Sequence, residues 1–209
     1  KSSHGDLTKL CSYVAIQMND PHPAIAGPEL IRLLKDENGM GFDEAIAIAQ
    51  ATLGYTNHTL LPEALERWST WAMGSVLPRH MQIIEDIDSW HAKSYPNRPA
   101  NTAIVRGNEV HMGDLAFIMS HKVNGVSALH TELVKKQLFP ELNALHPDRI
   151  INQTNGVTPR RWMKLANPPL SSLVTDAIGE GWEINLDKLT ELEPLANDAG
   201  FREKFSLAK

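Results

Sequence analysis

Three polar, turn-forming clusters interrupt an otherwise apolar and periodic sequence, and they limit the folds that this chain can adopt. The clusters are NDPHP at 19–23, YTNHT at 55–59 and NQTNGVTPRRW at 152–162. Asn and Asp hydrogen-bond the backbone in turns, so a single cluster indicates only a loop. Three clusters, each beside a buried-looking element, instead predict loops that converge on a polar ligand. Because the side chains on offer are mostly neutral donors and acceptors, we expect a ligand such as a sugar.

A short apolar run over Val14–Met18 precedes the first cluster and predicts a buried strand. A residue before proline is pushed out of the helical region, so Asp20 and His22 should be held in extended chain at the carboxyl end of that strand. Ligands gather at the carboxyl ends of strands in α/β sheets. The third cluster also follows a strand-like run, Ile150–Asn152, whereas the second follows a helix that is expected to be buried.

The remaining pattern is mainly helical. The residues around Arg106-Gly107-Asn108 predict a hairpin, and Asn167-Pro168 predicts the start of a helix that ends at Gly179. Residues 121–125 are expected to form a loop between two helices. Further helices are predicted over roughly 43–53, 62–68, 113–120 and 126–138. The fold class is therefore α/β and helix-rich, with few strands for the length of the chain.

Composition and charge exclude several classes of protein. The net charge of -5 and the lack of a basic patch exclude a nucleic-acid interface. The single cysteine, Cys11, excludes an internal disulfide framework and favours a reducing compartment. The N-terminus lacks the apolar stretch of a signal peptide, and no apolar run is long enough to span a membrane. Together these features predict a soluble, cytoplasmic protein. The nine histidines lack metal-binding spacing, so we also expect no metal site.

One set of ordered motifs runs through the chain. The motifs are VAIQMND at 14–20, HP at 22–23, PEL at 28–30, YTNHT at 55–59, LPEALERW at 61–68, LPRH at 77–80, VNGV at 123–126 and TNGVTPRRW at 154–162. In order and spacing they resemble the α-glucan phosphorylases, the family of glycogen, starch and maltodextrin phosphorylases. The resemblance extends from about Val14 to Phe205, and it implies that the chain is an internal segment of a longer enzyme.

This resemblance implies a fold and a division into domains. The family resembles the two-lobed glycosyltransferase-B fold, whose active site lies in the cleft between the lobes. Residues 1–155 would form the later part of the N-terminal lobe, on the glucan-binding side of the cleft. Residues 156–209 would form the interdomain connection and the start of the C-terminal lobe.

The resemblance also implies an activity and a cofactor. The complete enzyme would be a glycosyltransferase that uses inorganic phosphate to release glucose 1-phosphate from the non-reducing end of glycogen or maltodextrin, an α-1,4-glucan. It would carry pyridoxal 5'-phosphate on a lysine that this segment lacks, and it would form a homodimer. In that chemistry the cofactor supplies the reactive phosphate and the protein positions the sugar. The segment alone is expected to be inactive.

Four residues take site roles through the resemblance. His58 resembles the catalytic-site histidine that contacts the transferred glucosyl unit, and Asn155 resembles the asparagine that binds its 6-hydroxyl. Asp20 and His22 resemble residues on the acceptor side of the cleaved bond. At Pro21 the chain departs from the family, which usually has Thr there.

Two other functions remain open at this point. The chain could be a catalytically inert carbohydrate-binding fragment. It could also be a glycoside hydrolase, since Glu63 and Glu66 lie one helical turn apart on the helix predicted beside His58, and paired carboxylates are the machinery of that reaction. The tryptophans are expected to belong to the core and not to stack on sugars.

Overall fold

The computed structural model describes residues 5–62 and 65–209, and the chain divides into two compact units, Lys1–Asn155 and Gly156–Lys209. The strands are β1 (Ile16–Asn19), β2 (Leu53–Thr56), β3 (Arg67–Ser69), β4 (Val105–Arg106), β5 (Glu109–His111), β6 (Lys122–Gly125) and β7 (Ile150–Asn152). All of these strands lie in the first unit, which is nevertheless mostly helical.

The α-helices are α1 (Leu10–Tyr13), α2 (Ala26–Arg32), α3 (Phe42–Thr52), α4 (Thr70–Val76), α5 (Pro78–Ser94), α6 (Met112–Ile118), α7 (Ala128–Leu133), α8 (Pro140–Leu145), α9 (Pro168–Ile178) and α10 (Ala199–Ala208). Short 3-10 helices cover Leu7–Lys9 and Ala100–Thr102, and a longer one covers Leu186–Asn197. The π-helical segments are Leu33–Glu37, Val134–Leu138 and Arg160–Leu165. No helix among the described residues is both long enough and apolar enough to cross a membrane.

The first unit is organised around a four-stranded parallel sheet in the order β1-β2-β6-β7. The register places Met18 opposite Tyr55, Tyr55 opposite Val123, and Val123 opposite Ile150. All four side chains are buried, so one continuous apolar row crosses the sheet. In β1 only Met18 is buried, so the buried strand predicted from Val14–Met18 is a strand but is mostly exposed. Helices form the connections between the strands, as parallel pairing requires. The helix-rich α/β class predicted from the sequence is therefore confirmed.

Both central strands correct the sequence-based prediction. Residues 54–56 were expected to form the turn and loop after the helix predicted over 43–53, and residues 121–125 were expected to form a loop. Instead, β2 and β6 pair with each other and with the outer strands. Helix α3 ends at Thr52 and β2 begins at the next residue, so no turn residue marks the change. The helix predicted over 62–68 is also wrong at its end, because Trp68 lies on β3 and pairs with Val110.

The hairpin predicted around residues 106–108 is present as the β4–β5 pair. Its two turn residues, Gly107 and Asn108, have φ values of 58° and 61°. Positive φ at both central positions is the geometry that lets a two-residue turn follow the twist of the flanking strands. The hairpin is completed by β3, which gives a three-stranded antiparallel sheet in the order β3-β5-β4.

The tryptophans do not share one environment. Trp182 is fully buried, as expected for a core residue, whereas Trp71 is 80% exposed. Trp68 and Trp162 are 49% and 66% exposed. The expectation that tryptophans form the core was therefore wrong for three of these four, because they lie on an edge strand, on the first turn of α4 and on a π-helical segment.

The second unit is helical throughout its regular elements. Helix α9 is capped by Asn167, whose side chain accepts the Leu170 N–H at 3.1 Å, and it ends before Gly179 at φ 78°. This confirms the helix boundaries predicted from the sequence. Trp182 packs into this unit, and its indole N–H donates to Thr175 Oγ1 at 3.0 Å.

A buried histidine pair joins the end of α5 to the end of α8. Arg98 Nη1 lies 2.9 Å from His91 Nδ1, His91 Nε2 lies 3.2 Å from His146 Nε2, and His146 Nδ1 lies 3.3 Å from the Tyr95 hydroxyl. Arginine can only donate, so His91 Nδ1 must accept and its proton must be on Nε2. His91 therefore donates to His146, which in turn carries its proton on Nδ1 and donates to Tyr95.

This chain of hydrogen bonds requires both histidines to be neutral. A second proton on either ring would place two N–H groups against each other. The pKa of both His91 and His146 is lowered to about 4, mainly by burial and to a smaller extent by the charges of Arg98 at His91 and Arg149 at His146. Asp88 lies 2.8 Å from Arg98 and is the carboxylate of this cluster.

We predict that acid weakens the fold through this pair. In the unfolded chain each imidazole has its ordinary pKa of 6.5, so below that pH the unfolded state binds protons that the folded state takes up only near pH 4. The stabilisation is thus complete above pH 6.5 and is lost as the pH falls. Urea unfolding at pH 7 and pH 4.5 should show a loss of roughly 2–5 kcal/mol. In His146→Gln the loss should be about half as large; an unchanged loss would contradict this assignment.

Candidate functional site

The carboxyl ends of the four parallel strands lie at one edge of the sheet. The first residues of the loops that follow these strands hydrogen-bond through their backbone to the neighbouring strands. Asp20 N–H donates to the Thr56 carbonyl at 2.9 Å, and Asn57 N–H donates to the Asn124 carbonyl at 3.0 Å. At the other side, Gln153 N–H donates to the Gly125 carbonyl at 3.1 Å. Backbone hydrogen bonds therefore hold the three polar clusters, so the Cα positions from which their side chains extend are fixed.

Asp20 and His58 contact each other directly at this edge. One Asp20 carboxylate oxygen accepts the His58 backbone N–H at 3.0 Å, and the other lies 3.2 Å from His58 Nδ1. Asp20 has a φ of 59°, in the left-handed region that few residues other than glycine adopt, so the extended backbone expected for this residue before Pro21 was wrong. Strained backbone of this kind clusters at functional sites. The carboxylate orients the imidazole through Nδ1, so Nε2 is the ring nitrogen that points away from Asp20.

His22 has a different partner. Its Nδ1 lies 2.7 Å from a carboxylate oxygen of Glu66, a residue that precedes β3. Both side chains line a cavity of about 410 Å³ whose other lining side chains are mainly apolar, among them Trp68 and Met112. The structure therefore places His22 against the antiparallel sheet instead of against Asp20. Glu63, the second carboxylate of the glycoside hydrolase alternative, lies outside the described residues.

Asn155 is the last residue of the first unit, and its backbone N–H donates to the Val126 carbonyl at 3.0 Å. Its side chain is exposed. The loop of Asn155 follows β7, and the loop of His58 follows β2, with β6 between them. Two strand spacings amount to about 10 Å, which side chains from the two loops can bridge by binding one small polar molecule.

Neutral polar side chains connect the strands near the same edge. Gln17 donates to Thr56 Oγ1 at 2.8 Å, and the Thr56 hydroxyl donates to Asn124 Oδ1 at 2.8 Å. On the neighbouring strand β7, Asn152 Oδ1 accepts the hydroxyl of Thr131, a residue of α7, at 3.1 Å. These amides and hydroxyls fix the side-chain positions without introducing charge. The described residues contain no group of three His, Cys, Asp or Glu side chains that could hold a metal ion.

His130 is a residue of this edge that the sequence analysis missed. Its Nδ1 accepts the Val126 backbone N–H at 3.1 Å, and its own N–H donates to Ser127 Oγ at 3.1 Å. Burial lowers the pKa of His130, the charge of His58 lowers it further, and Asp20 acts in the opposite direction. In a capping box the side chain three residues after a Ser cap accepts the backbone N–H of the cap residue, whereas His130 accepts the N–H of Val126, one residue earlier. The spacing Ser127-x-x-His130 was nevertheless the available signal, with His in the place of the usual Glu.

Comparison with known proteins supplies the context for this geometry. The family model described as carbohydrate phosphorylase matches residues 1–209. The chain is 47% identical over 218 residues to glycogen phosphorylase of Synechocystis sp., covering 100% of this chain and 26% of that protein. It is 42% identical over 217 residues to the α-glucan phosphorylase H isozyme of Triticum aestivum, covering 98% of this chain and 26% of that protein.

A mammalian relative matches at a similar level. The chain is 41% identical over 206 residues to the liver form of glycogen phosphorylase of Bos taurus, covering 94% of this chain and 24% of that protein. The chain thus spans about a quarter of the length of the curated relatives that it matches.

We predict that Asp20 holds the His58 loop. In Asp20→Ala the His58 N–H loses its acceptor, and its hydrogen exchange should accelerate roughly 10-fold or more, because hydrogen bonds to charged groups are among the stronger ones. Exchange can be followed by mass spectrometry on peptides that cover residues 57–61. Asp20→Asn is the matched control, since Asn keeps the Oδ1 acceptor and tolerates positive φ. Unchanged exchange in Asp20→Ala would show that the loop is held by other contacts.

Proposed function

Because this chain belongs to the carbohydrate phosphorylase family, we propose that it is part of an α-1,4-glucan phosphorylase, which releases glucose 1-phosphate from the non-reducing end of glycogen or maltodextrin by phosphorolysis. The observation that carries this proposal is the family match over all 209 residues. The Asp20–His58 contact at the carboxyl edge of a parallel sheet supports it, since ligands of α/β sheets bind there.

We further propose that the two units belong to different lobes of a two-lobed enzyme. Residues 1–155 would form the later part of the N-terminal lobe, and residues 156–209 the connection and the start of the C-terminal lobe. The division of the chain at Asn155 supports this assignment. The partners would be an α-1,4-glucan, inorganic phosphate and glucose 1-phosphate, and the complete enzyme would be a cytoplasmic homodimer.

The proposed site roles follow from the contacts. His58 would contact the transferred glucosyl unit, and Asp20 would hold the imidazole in place through Nδ1. Asn155 would bind the 6-hydroxyl from the loop after β7. His22, which is oriented by Glu66, would act with Asp20 on the acceptor side of the cleaved bond. Fixed dipoles of this kind stabilise a developing charge without having to reorganise during the reaction.

The cofactor of the complete enzyme would be pyridoxal 5'-phosphate. A Schiff-base lysine would have to lie in a shielded site, yet none of the described lysines is buried. Lys122 Nζ donates to the Asp148 carbonyl at 2.7 Å, and Lys164 Nζ lies 2.6 Å from Glu183. The residues present here therefore do not fit the cofactor, and we place its lysine outside this segment.

The activity can be tested directly on the complete enzyme. It should convert maltoheptaose and inorganic phosphate into glucose 1-phosphate, and it should release no sugar when phosphate is omitted. Release of reducing sugar without phosphate would instead indicate a hydrolase. An absence of both products would favour a protein that only binds carbohydrate.

The site assignment makes a quantitative prediction. In the complete enzyme, His58→Ala and Asn155→Ala should each lower kcat/KM for glucose 1-phosphate by roughly 10- to 1000-fold, because each removes a hydrogen bond aimed at the reacting sugar. We propose that the His58 side chain also binds the 6-hydroxyl, so the two losses should not add fully. A 6-deoxy substrate should reduce both effects together. Asn97→Ala, in the exposed turn after α5, is the control and should behave as wild type.

A further inference from the structure

His130 occupies an unusual position at the start of α7. Ser127 is the cap residue of this helix, and the His130 backbone N–H donates to its hydroxyl at 3.1 Å. The imidazole of His130 turns back past the cap, and its Nδ1 accepts the Val126 N–H at 3.1 Å. Strand β6 ends at Gly125, so Val126 lies beyond the ladder of the sheet. A side chain therefore supplies the acceptor that a neighbouring strand would supply within the sheet.

Val126 is bonded on both of its peptide groups. Its N–H donates to His130, and its carbonyl accepts the Asn155 N–H at 3.0 Å. The Val126 carbonyl can accept the Asn155 N–H only while the backbone of Val126 keeps the orientation that its contact with His130 gives it. His130 thus fixes Val126, the residue whose carbonyl accepts the Asn155 N–H.

The tautomer of His130 follows from the same contact. Because Nδ1 accepts a backbone N–H, the proton of the neutral ring is on Nε2. That Nε2 is buried and has no hydrogen-bond partner within the described part of the chain. A proton added to Nδ1 would face the Val126 N–H and break the contact. Burial and the neighbouring His58 charge both disfavour that proton, although Asp20 favours it.

We propose that His130 is a positioning residue of the phosphorolysis reaction, which acts through Nδ1 on Val126 and through Val126 on Asn155. This inference rests on the proposed function, in which Asn155 binds the 6-hydroxyl of the transferred glucosyl unit. His130 itself would not touch the sugar.

Two substitutions distinguish the roles of the two ring nitrogens of His130. The amide oxygen of Asn can take the place of Nδ1, whereas the amide of Gln reaches the place of Nε2. In the complete enzyme, His130→Asn should keep kcat/KM for glucose 1-phosphate within about 3-fold of wild type, and His130→Gln should lower it by about 10- to 100-fold, as loss of a buried hydrogen bond does. The reverse order, with Gln active and Asn inactive, would overturn the proposal and assign a direct contact to Nε2.

A readout other than activity keeps this inference distinct from the proposed function. Hydrogen exchange of the peptide that contains Asn155 should accelerate several-fold in His130→Gln but not in His130→Asn. Equal exchange in the two variants would overturn the proposal even if the enzyme is a phosphorylase. If Asn155→Ala alone kept wild-type kcat/KM, the sugar-binding role would fail instead, whatever the exchange showed about His130.

A double variant tests whether His130 acts through Asn155. If it does, His130→Gln should cost much less kcat/KM in the Asn155→Ala background than in wild type, because the residue that it positions is already gone. A full, additive loss in that background would contradict the proposal. Urea midpoints of His130→Asn and His130→Gln should be measured alongside, and a phosphorolysis difference between variants of equal stability supports positioning over a general structural role.

Discussion

Parallel pairing of β2 with both β1 and β6 is the constraint on which the rest of the first unit depends. Parallel strands require a long crossover between each pair, here made mainly of helices, so every polar loop that follows a strand appears at the same edge. The buried row that runs from Met18 through Tyr55 and Val123 to Ile150 fixes the register, because a shift of one residue would turn these side chains to the opposite face. Residues far apart in the chain, such as Asp20 and His58, meet only because this sheet forms.

The histidines of the first unit show how neighbours give one residue type different properties. His58 faces the Asp20 carboxylate at an exposed edge, and this contact orients the ring through Nδ1. His130 faces a backbone N–H, which requires an unprotonated Nδ1. His91 and His146 face each other in the interior, where burial keeps both rings neutral. The first two lie near the candidate site, and the third arrangement belongs to the packing of α5 against the end of α8.

The chemistry proposed for the site agrees with its mixture of neutral and charged groups. A glucosyl unit presents hydroxyls on every side. Neutral amides and hydroxyls, such as those of Asn124 and Thr56, are groups that can bind an uncharged sugar through hydrogen bonds. The transfer step develops positive charge, for which fixed dipoles and a nearby carboxylate are suited. Within this proposal the segment binds and orients the sugar, and the cofactor elsewhere in the enzyme supplies the proton-transferring phosphate.

The sequence by itself determined the helix-rich α/β class, the outer strands β1 and β7, the hairpin with its Gly107-Asn108 turn, and the caps of α9. Each of these depends on local chemistry, such as a positive φ or a side chain that caps a helix. The motifs also indicated the family, which the comparisons show. They drew attention to Asp20 and His58 as well, although the contact between those two residues could not be read from the motifs alone.

Only the tertiary structure decided the central strands, the partner of His22 and the place of His130. Leu53–Thr56 and Lys122–Gly125 contain Gly together with Asn or Thr and show no strand periodicity, and they become strands because each pairs on both sides. His22 is bonded to Glu66 from a distant segment. His130 acquires its role from Val126, whose own orientation matters only because the loop after β7 comes back to it. Such long-range contacts leave no local pattern, because their energy depends on pairing across the fold and not on neighbours in the chain.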